Sequence, residues 1–340
     1  MVVIFDYSGT LSVEAPDFGR PDNLARALEE SGLAALGVAD ANIFWEKIVF
    51  PTWDVGSRTT IGYARVISDR IASLHLPPGA HRAESAASCP QSGASCPQSA
   101  ASCPQSAVSP SAIVEAAKRF VAMYLNCSRM EPLWRPLFEK LVADQNIVVV
   151  IATDHYAEAT DAMIHYLKSW GIAAAKADNI AATKPAARQA ITAAVTAREV
   201  LPEDSVFSPS PREDGKKGRF ASVIVANSAD LGFWKADRRF WEILRAQLPG
   251  RFRSVLIVDD FGFNEADANG YGQIDLVRER RRKTKALLRE VFQTSVSTIS
   301  FFLKKDTGNR EDAKIRKIRE TVRRIAAAVR PVPGSRQNAV

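Results

Sequence analysis

Four short apolar runs, each closed by polar or acidic residues, constrain this chain more than any other feature: Val2–Phe5 (VVIF), 147–152 (IVVVIA), 222–226 (SVIVA) and 254–258 (SVLIV). A fifth candidate spans 295–303. Short β-branched runs bounded by turn signals read as strands buried on both faces, the habit of parallel sheets. Helical patterns separate them, at 134–143, 157–169, 238–247 and 276–292. Strands alternating with helices predict an α/β fold with a doubly wound parallel sheet. In such sheets functional groups gather just beyond the carboxyl ends of the strands. The first run leads into Asp6, the second into Thr153 and Asp154, and the fourth into Asp259 and Asp260. The third leads through Asn227 and Ser228 to Lys235, at the start of a helix. A solvated loop explains any one of these. It does not readily explain two carboxylate clusters, a hydroxyl and an ammonium group meeting at one edge.

The roughly 130 residues between the first two strands are too many for an ordinary crossover. Helical patterns fill them at 23–31, 41–49, 60–74 and 111–126, and Ile113, Ala117, Phe120, Val121 and Tyr124 form one apolar face. The predicted organisation is a core of residues 1–14 and 134–305, interrupted by a helical cap at 15–133. A further insertion at 173–220 holds a helix near 186–200 and a polar loop, PSPREDGKKG. A basic helical extension follows at 306–340. Its last helix, 311–329, carries Ile315, Ile318, Val322, Ile325 and Val329 as a narrow apolar seam, read as packing on the core, with a coiled coil as the second use.

Composition excludes several classes. Of 340 residues, 46% are hydrophobic and 24% charged, the balance of a globular domain. No apolar run reaches the roughly 18 to 20 residues a membrane span needs, and no secretory signal pattern opens the sequence. A cytoplasmic protein with no membrane partner is expected. Residues 275–340 hold 18 Lys/Arg against 7 Asp/Glu, so the net charge of +7 belongs to the C-terminal fifth. Few aromatics interleave with those charges and no nucleic-acid motif is present, so a solvated helix surface is preferred over a nucleic-acid contact. Three of the four cysteines, Cys89, Cys96 and Cys103, recur in a seven-residue Ser/Ala/Cys/Pro/Gln unit within 85–109. Zinc ligands pair at two to four residues, so this reads as a low-complexity loop, and Cys127 as a buried helical thiol.

The strand-end residues are similar to the ordered motifs of the haloacid-dehalogenase-like superfamily. Asp6-Tyr7-Ser8-Gly9-Thr10-Leu11 resembles its first motif, a strand ending in DxDGT or a variant. Thr153 resembles its phosphate-binding Ser/Thr, and NSADLGFWKADRRFWEIL resembles the region of its lysine, with Lys235 in place. VDDFGFNEADANGYG resembles its acidic fourth motif. The resemblance runs from residue 2 to about 272, in the right order on the right predicted elements. It implies a Rossmannoid core with an inserted cap and a Mg²⁺-dependent hydrolase acting on a small phosphorylated substrate. Asp6 would be the nucleophile, splitting one displacement into two through an aspartyl-phosphate. Mg²⁺ would be held by Asp6, the main-chain carbonyl of Ser8 and Asp260, supported by Asp259 and Asn264. Thr153 would donate to the phosphoryl oxygens and Lys235 would neutralise them. Thr10, Asn264 and Arg58 are substrate-binding candidates; Trp45, Trp53 and Tyr63 are candidates for substrate selection.

Each role has a plainer counterpart. Lys184, in a Thr-Lys-Pro context, rivals Lys235 but does not directly follow a strand. Thr153 could simply cap the next helix. Asp154 and His155 are read as structural or facing the cap. The main departure is Ser8, where the family's phosphatases usually carry a second Asp as general acid and base. Losing such a group costs a factor of about 10² to 10⁴. Three readings stay open: hydrolysis of substrates with good leaving groups, cleavage of a carbon–phosphorus bond, or weak monoester hydrolysis by a regulatory relative. Phosphonate-cleaving relatives use a Schiff-base lysine, for which Lys47 is the only early candidate. Dehalogenation fits less well, because those relatives work without metal. The alternative from another class is a catalytically weak binding or regulatory protein that contacts an anionic partner through its basic C-terminal helices.

Overall fold

The computed structural model describes residues 1–75, 109–178, 223–265, 272–303 and 309–330. The Cys-Pro-Gln repeats, the 186–200 helix, the PSPREDGKKG loop and Lys184 lie outside the described residues. Six strands form one all-parallel sheet: β1 (Val2–Phe5), β2 (Val148–Thr153), β3 (Ala174–Lys176), β4 (Val223–Asn227), β5 (Ser254–Asp259) and β6 (Ser295–Ser300), in the order β3-β4-β2-β1-β5-β6. The chain passes from β1 to β2, reaches the edge at β3, steps back to β4 between them, then crosses to the other side of β1 at β5. That reversal places the topological switch between β1 and β5, where Asp6 and Asp260 emerge.

Alternation along β1 explains its central place. Val3 and Phe5 enter one apolar cluster, with Trp134, Phe138, Leu141, Met163 and Leu167 from helices on that face. Val2 and Ile4 enter the other, with Phe240, Trp241, Leu244 and Leu288. All four are fully buried, each contributing on the order of 1.5–3 kcal/mol of transfer free energy. Phe5 meets Phe138 at 4.9 Å between ring centroids and Trp134 edge-on at 6.2 Å.

The edge strand β3 falls inside the segment expected to be an insertion from residue 173. Ala174–Lys176 is too short and too alanine-rich to signal a strand. Its pairing with β4 creates it, continued by Ala177 N–H donating to Val225 O at 2.8 Å.

The chain divides into two compact units. The first comprises 1–17, 57–60 and 128–340, and the described part of the C-terminal segment, 309–330, falls within it. The reason lies in the last helix, Arg310–Ala328. Ile318 and Ile325 are fully buried in the cluster that holds Phe5, and Lys314 is buried against Glu131 (2.9 Å) and Glu311 (2.8 Å). In the second unit, 18–56 and 61–127, the regular elements among the described residues are all helices. There Phe120 packs with Phe18, Phe44 and Tyr63, and Tyr63 also meets Tyr124. Trp45 sits among Phe44 and Phe50. Cys127 is exposed rather than buried, because it closes its helix at the end of the unit. No helix among the described residues is long and apolar enough to cross a membrane.

Candidate active site

The first turn of the site is built on Asp6 to Ser12. Asp6 N–H donates to Val258 O at 2.9 Å, extending the β1–β5 ladder by one residue and fixing the carboxylate beside β5. The chain then folds back: Ser12 N–H donates to Tyr7 O at 2.8 Å and Gly9 N–H to Ser12 O at 2.9 Å. The Tyr7 hydroxyl donates to Ser128 O, pinning the turn from outside. Gly9 has φ +71°, and a Cβ there would lie 2.7 Å from Asp260 Oδ2. Only glycine lets this backbone approach the Asp260 carboxylate.

The turn after β5 aims main-chain N–H groups at the acid pair. Phe261 N–H donates to Asp259 Oδ1 (2.5 Å), Gly262 N–H to Asp260 Oδ1 (3.0 Å) and Asn264 N–H to Asp260 Oδ2 (2.7 Å). Phe261 adopts φ +53°, a left-handed conformation that costs a non-glycine residue about 1 kcal/mol or more. The hydrogen bonds to Asp259 and from Arg280 Nε to Phe261 O (2.7 Å) hold it there.

Lys235 lies in the loop before helix Arg238–Gln247, slightly ahead of the helix start expected for it. Its Nζ donates to Asp6 Oδ1 at 2.5 Å and is 3.6 Å from Asp259 Oδ2. Its main chain is held on both sides: the N–H donates to Asp154 Oδ1 (2.8 Å), and the carbonyl accepts from Trp241 Nε1 (2.7 Å). Arg58 and Ser57, which belong to the same unit, brace this loop. Arg58 Nε donates to Gly232 O (3.2 Å), its guanidinium stacks over Trp234, and Trp234 Nε1 donates to Ser57 Oγ (2.8 Å). Arg58, expected to grip a substrate anion, is thus engaged with the lysine loop itself.

The other candidates sort by their hydrogen bonds. Thr153 is the last residue of β2 and 1% exposed; the next helix begins at Glu158 with Ala157 as its cap, so Thr153 is not that cap. Thr10 Oγ1 accepts from Asp260 N–H at 3.1 Å, bracing the acid rather than facing a substrate. Asn264 uses its whole side chain as a clamp. Nδ2 donates to Gly9 O (2.6 Å) and Phe301 O (2.8 Å), and Oδ1 accepts from Leu303 N–H (2.8 Å). The geometry gives Asn264 the supporting role, with no group left over for substrate. His155 is buried edge-on against Tyr7. Lys47 is exposed in the second unit, without the burial that activates a Schiff-base lysine.

One residue escaped the sequence reading. Glu265, within the fourth acidic stretch, accepts the Ser8 hydroxyl at Oε1, 3.0 Å away. Its position directly after Asn264, opposite the serine, was the available signal.

Charge is unbalanced here. Among the described residues, Asp6, Asp154 and Asp259 face the ammonium of Lys235, Glu265 feels both Lys235 and Arg280, and Asp260 lies among the other acids. Burial raises Asp6 to about 7, with Lys235 opposing and Asp259 reinforcing the rise. Burial and repulsion from Asp6 and Asp259 push Asp260 well above the usual carboxylate range. Burial works against the Lys235 charge, but Asp6, Asp259 and Asp154 outweigh it and hold the ammonium well above the ordinary lysine range. Asp6, Asp259 and Asp260 each offer an oxygen within 4.8 Å of the others. An all-oxygen, over-charged cluster of this size suits a small hard dication, which would relieve the repulsion that raises Asp6 and Asp260.

Comparison with protein-family models, with curated proteins and with solved structures gave no match. The functional reading therefore rests on the sequence motifs and the geometry.

Proposed function

We propose that this chain is a Mg²⁺-dependent hydrolase of the haloacid-dehalogenase-like type, moving a phosphoryl group from a small phosphorylated metabolite to Asp6 and then to water. The observation that carries the reading is the contact of Lys235 Nζ with Asp6 at the switch point, beside the Asp259–Asp260 pair. An ammonium against a carboxylate opposes the rise that burial imposes on the nucleophile and sits where phosphoryl oxygens would gather. Asp6 attacks phosphorus through a carboxylate oxygen, the leaving group departs, and water hydrolyses the resulting acyl phosphate. Lys235 offsets the negative charge of the group in transfer, and the Thr153 hydroxyl at the end of β2 donates to one of its oxygens. Mg²⁺, held by Asp6, Asp259, Asp260 and the Ser8 carbonyl, would supply further neutralisation. The helical second unit would serve as the substrate-selecting cap.

The test is hydrolysis of acetyl phosphate and p-nitrophenyl phosphate by wild type and Asp6→Asn, with and without Mg²⁺. Metal-dependent turnover that vanishes in Asp6→Asn is expected. Activity that survives the substitution, or no turnover under any metal condition, would overturn the reading.

A further inference from the structure

The last helix, Arg310–Ala328, buries Ile318 and Ile325 in the core and also lines a cleft of about 1010 Å³, all within the first unit. Beyond the helix the lining is apolar. Leu133 comes from the turn Pro132–Trp134, Leu137 from the helix Arg135–Ala143, and Phe302 and Leu303 from the segment after β6. Leu133, Phe302 and Leu303 keep part of their surface open to solvent, as does Val322 on the helix itself. Apolar surface of this kind gains free energy when a partner covers it.

The cations of the helix divide into two sets. Arg310 pairs with Asp17, Lys314 with Glu131 (2.9 Å) and Glu311 (2.8 Å), Lys317 with Glu320 (3.1 Å), and Arg324 with Glu320 (3.6 Å). Arg316, Arg319 and Arg323 are exposed and make no ion pair among the described residues. Steps of three and four residues put these three on one face of the helix, over about 10 Å of its length. All three line the cleft. Glu320, the acid in the same lining, is already shared by Lys317 and Arg324.

An apolar trough edged by three unpaired guanidinium groups selects for a ligand with an apolar stripe and several anions beside it. A fatty acid has the apolar surface but one charge, enough for one arginine. A nucleic acid supplies charges in series but leaves the leucines uncovered. An acidic amphipathic helix supplies both, with leucines for the trough and carboxylates able to meet each guanidinium through two hydrogen bonds. Two turns of such a helix, about 11 Å long and roughly 10–12 Å across, match the cleft in order of size.

We propose that this cleft docks an acidic amphipathic helix of a partner protein, with Arg316, Arg319 and Arg323 pairing its carboxylates. No lining residue belongs to the Asp6–Asp259–Asp260 cluster, so the docking stands whatever reaction Asp6 performs.

The probe is a fluorescein-labelled synthetic helix of leucine, glutamate and alanine, titrated with the full-length chain and followed by fluorescence anisotropy. Saturable binding is expected. A peptide of the same composition in scrambled order should bind at least about tenfold more weakly, because its apolar stripe is lost. The triple variant Arg316→Glu, Arg319→Glu, Arg323→Glu should fold as wild type does, since all three side chains are exposed. It is expected to weaken binding by a factor of about 10 to 100, three exposed ion pairs each contributing less than tenfold. A peptide with lysine in place of glutamate should then bind the variant and not wild type. No saturable binding, equal binding of the scrambled peptide, or binding indifferent to the three substitutions would overturn the proposal. So would retention on phosphatidylserine vesicles, or saturation by dodecanoate, that needs these arginines where the peptide does not bind: the occupant would then be a membrane surface or an acyl anion. Should the triple variant fail to fold, Arg316→Gln, Arg319→Gln and Arg323→Gln, made singly, are judged by the same titration.

Discussion

Lys235 Nζ and Asp6 Oδ1 meet at 2.5 Å across 229 residues of sequence, at the point where the parallel sheet reverses its winding. Asp6 is 6% exposed, and this ammonium is the cation in direct contact with it among the described residues. Lys235→Met is expected to reduce phosphoryl transfer by a factor of about 10² to 10³, the usual loss for a charge-stabilising group. Arginine should not restore it, because a planar fork does not replace a point charge held by two carboxylates. Turnover numbers for both variants decide the matter; near-normal rates in Lys235→Met would show that the contact is only structural.

The carboxylate cluster predicts a metal-dependent melting temperature. A dication that binds the folded protein alone stabilises it by about 2.7 kcal/mol at a concentration of 100 times Kd. Thermal unfolding with Mg²⁺ against EDTA should show the shift, and Asp260→Asn should remove it. An unchanged transition in wild type at saturating Mg²⁺ would count against any resident metal.

His155 predicts a pH effect on stability. Burial, with a smaller contribution from Lys235, lowers its pKa from 6.5 to about 4. Between those values the unfolded chain binds the proton and the folded one does not, so stability falls as pH drops from about 6.5 towards 4. The contribution amounts to about 3 kcal/mol across that window. Buried Asp6 acts in the opposite direction, since its folded pKa is raised. The difference between wild type and His155→Gln, measured by denaturant unfolding from pH 4 to 7, therefore isolates the histidine. Parallel curves for the two proteins would refute the assignment.

Ile318 tests whether the last helix belongs to the core. It is fully buried in the cluster that holds Phe5 and Trp134. Ile318→Ala is expected to cost about 2–5 kcal/mol in denaturant unfolding, the range for a large-to-small change in a packed interior. The exposed Arg319, one residue on, should tolerate Ala with little change.

What could be read from sequence follows the strength of each local signal. Five of the six strands announce themselves by β-branched runs, and Asp6, Thr153 and Asp259 sit at their ends because the winding rule places chemistry there. The helix seam at Ile318, Val322 and Ile325 was equally plain. β3 was not, because Ala174–Lys176 has no β propensity of its own and exists through its partner. Asn264, Thr10 and Arg58 were legible as site residues but not as braces: their partners are main-chain groups brought near by tertiary folding. Glu265 was missed although it directly follows Asn264, because its partner, the Ser8 hydroxyl, is brought near only by tertiary folding.

The register of β1 carries a consequence for how the chain reaches this state. Val2 pairs with Val148 on one side and Val255 on the other, so the central strand's neighbours follow it by 146 and 253 residues. Loop closure on that scale favours slow, late assembly. Asp6 and Asp260 come together only when β1 and β5 pair, so the like charges of the cluster meet only once that long-range contact is made. The charge cluster thus exists only in molecules whose β1 and β5 have paired, and a ligand that senses it would report that pairing.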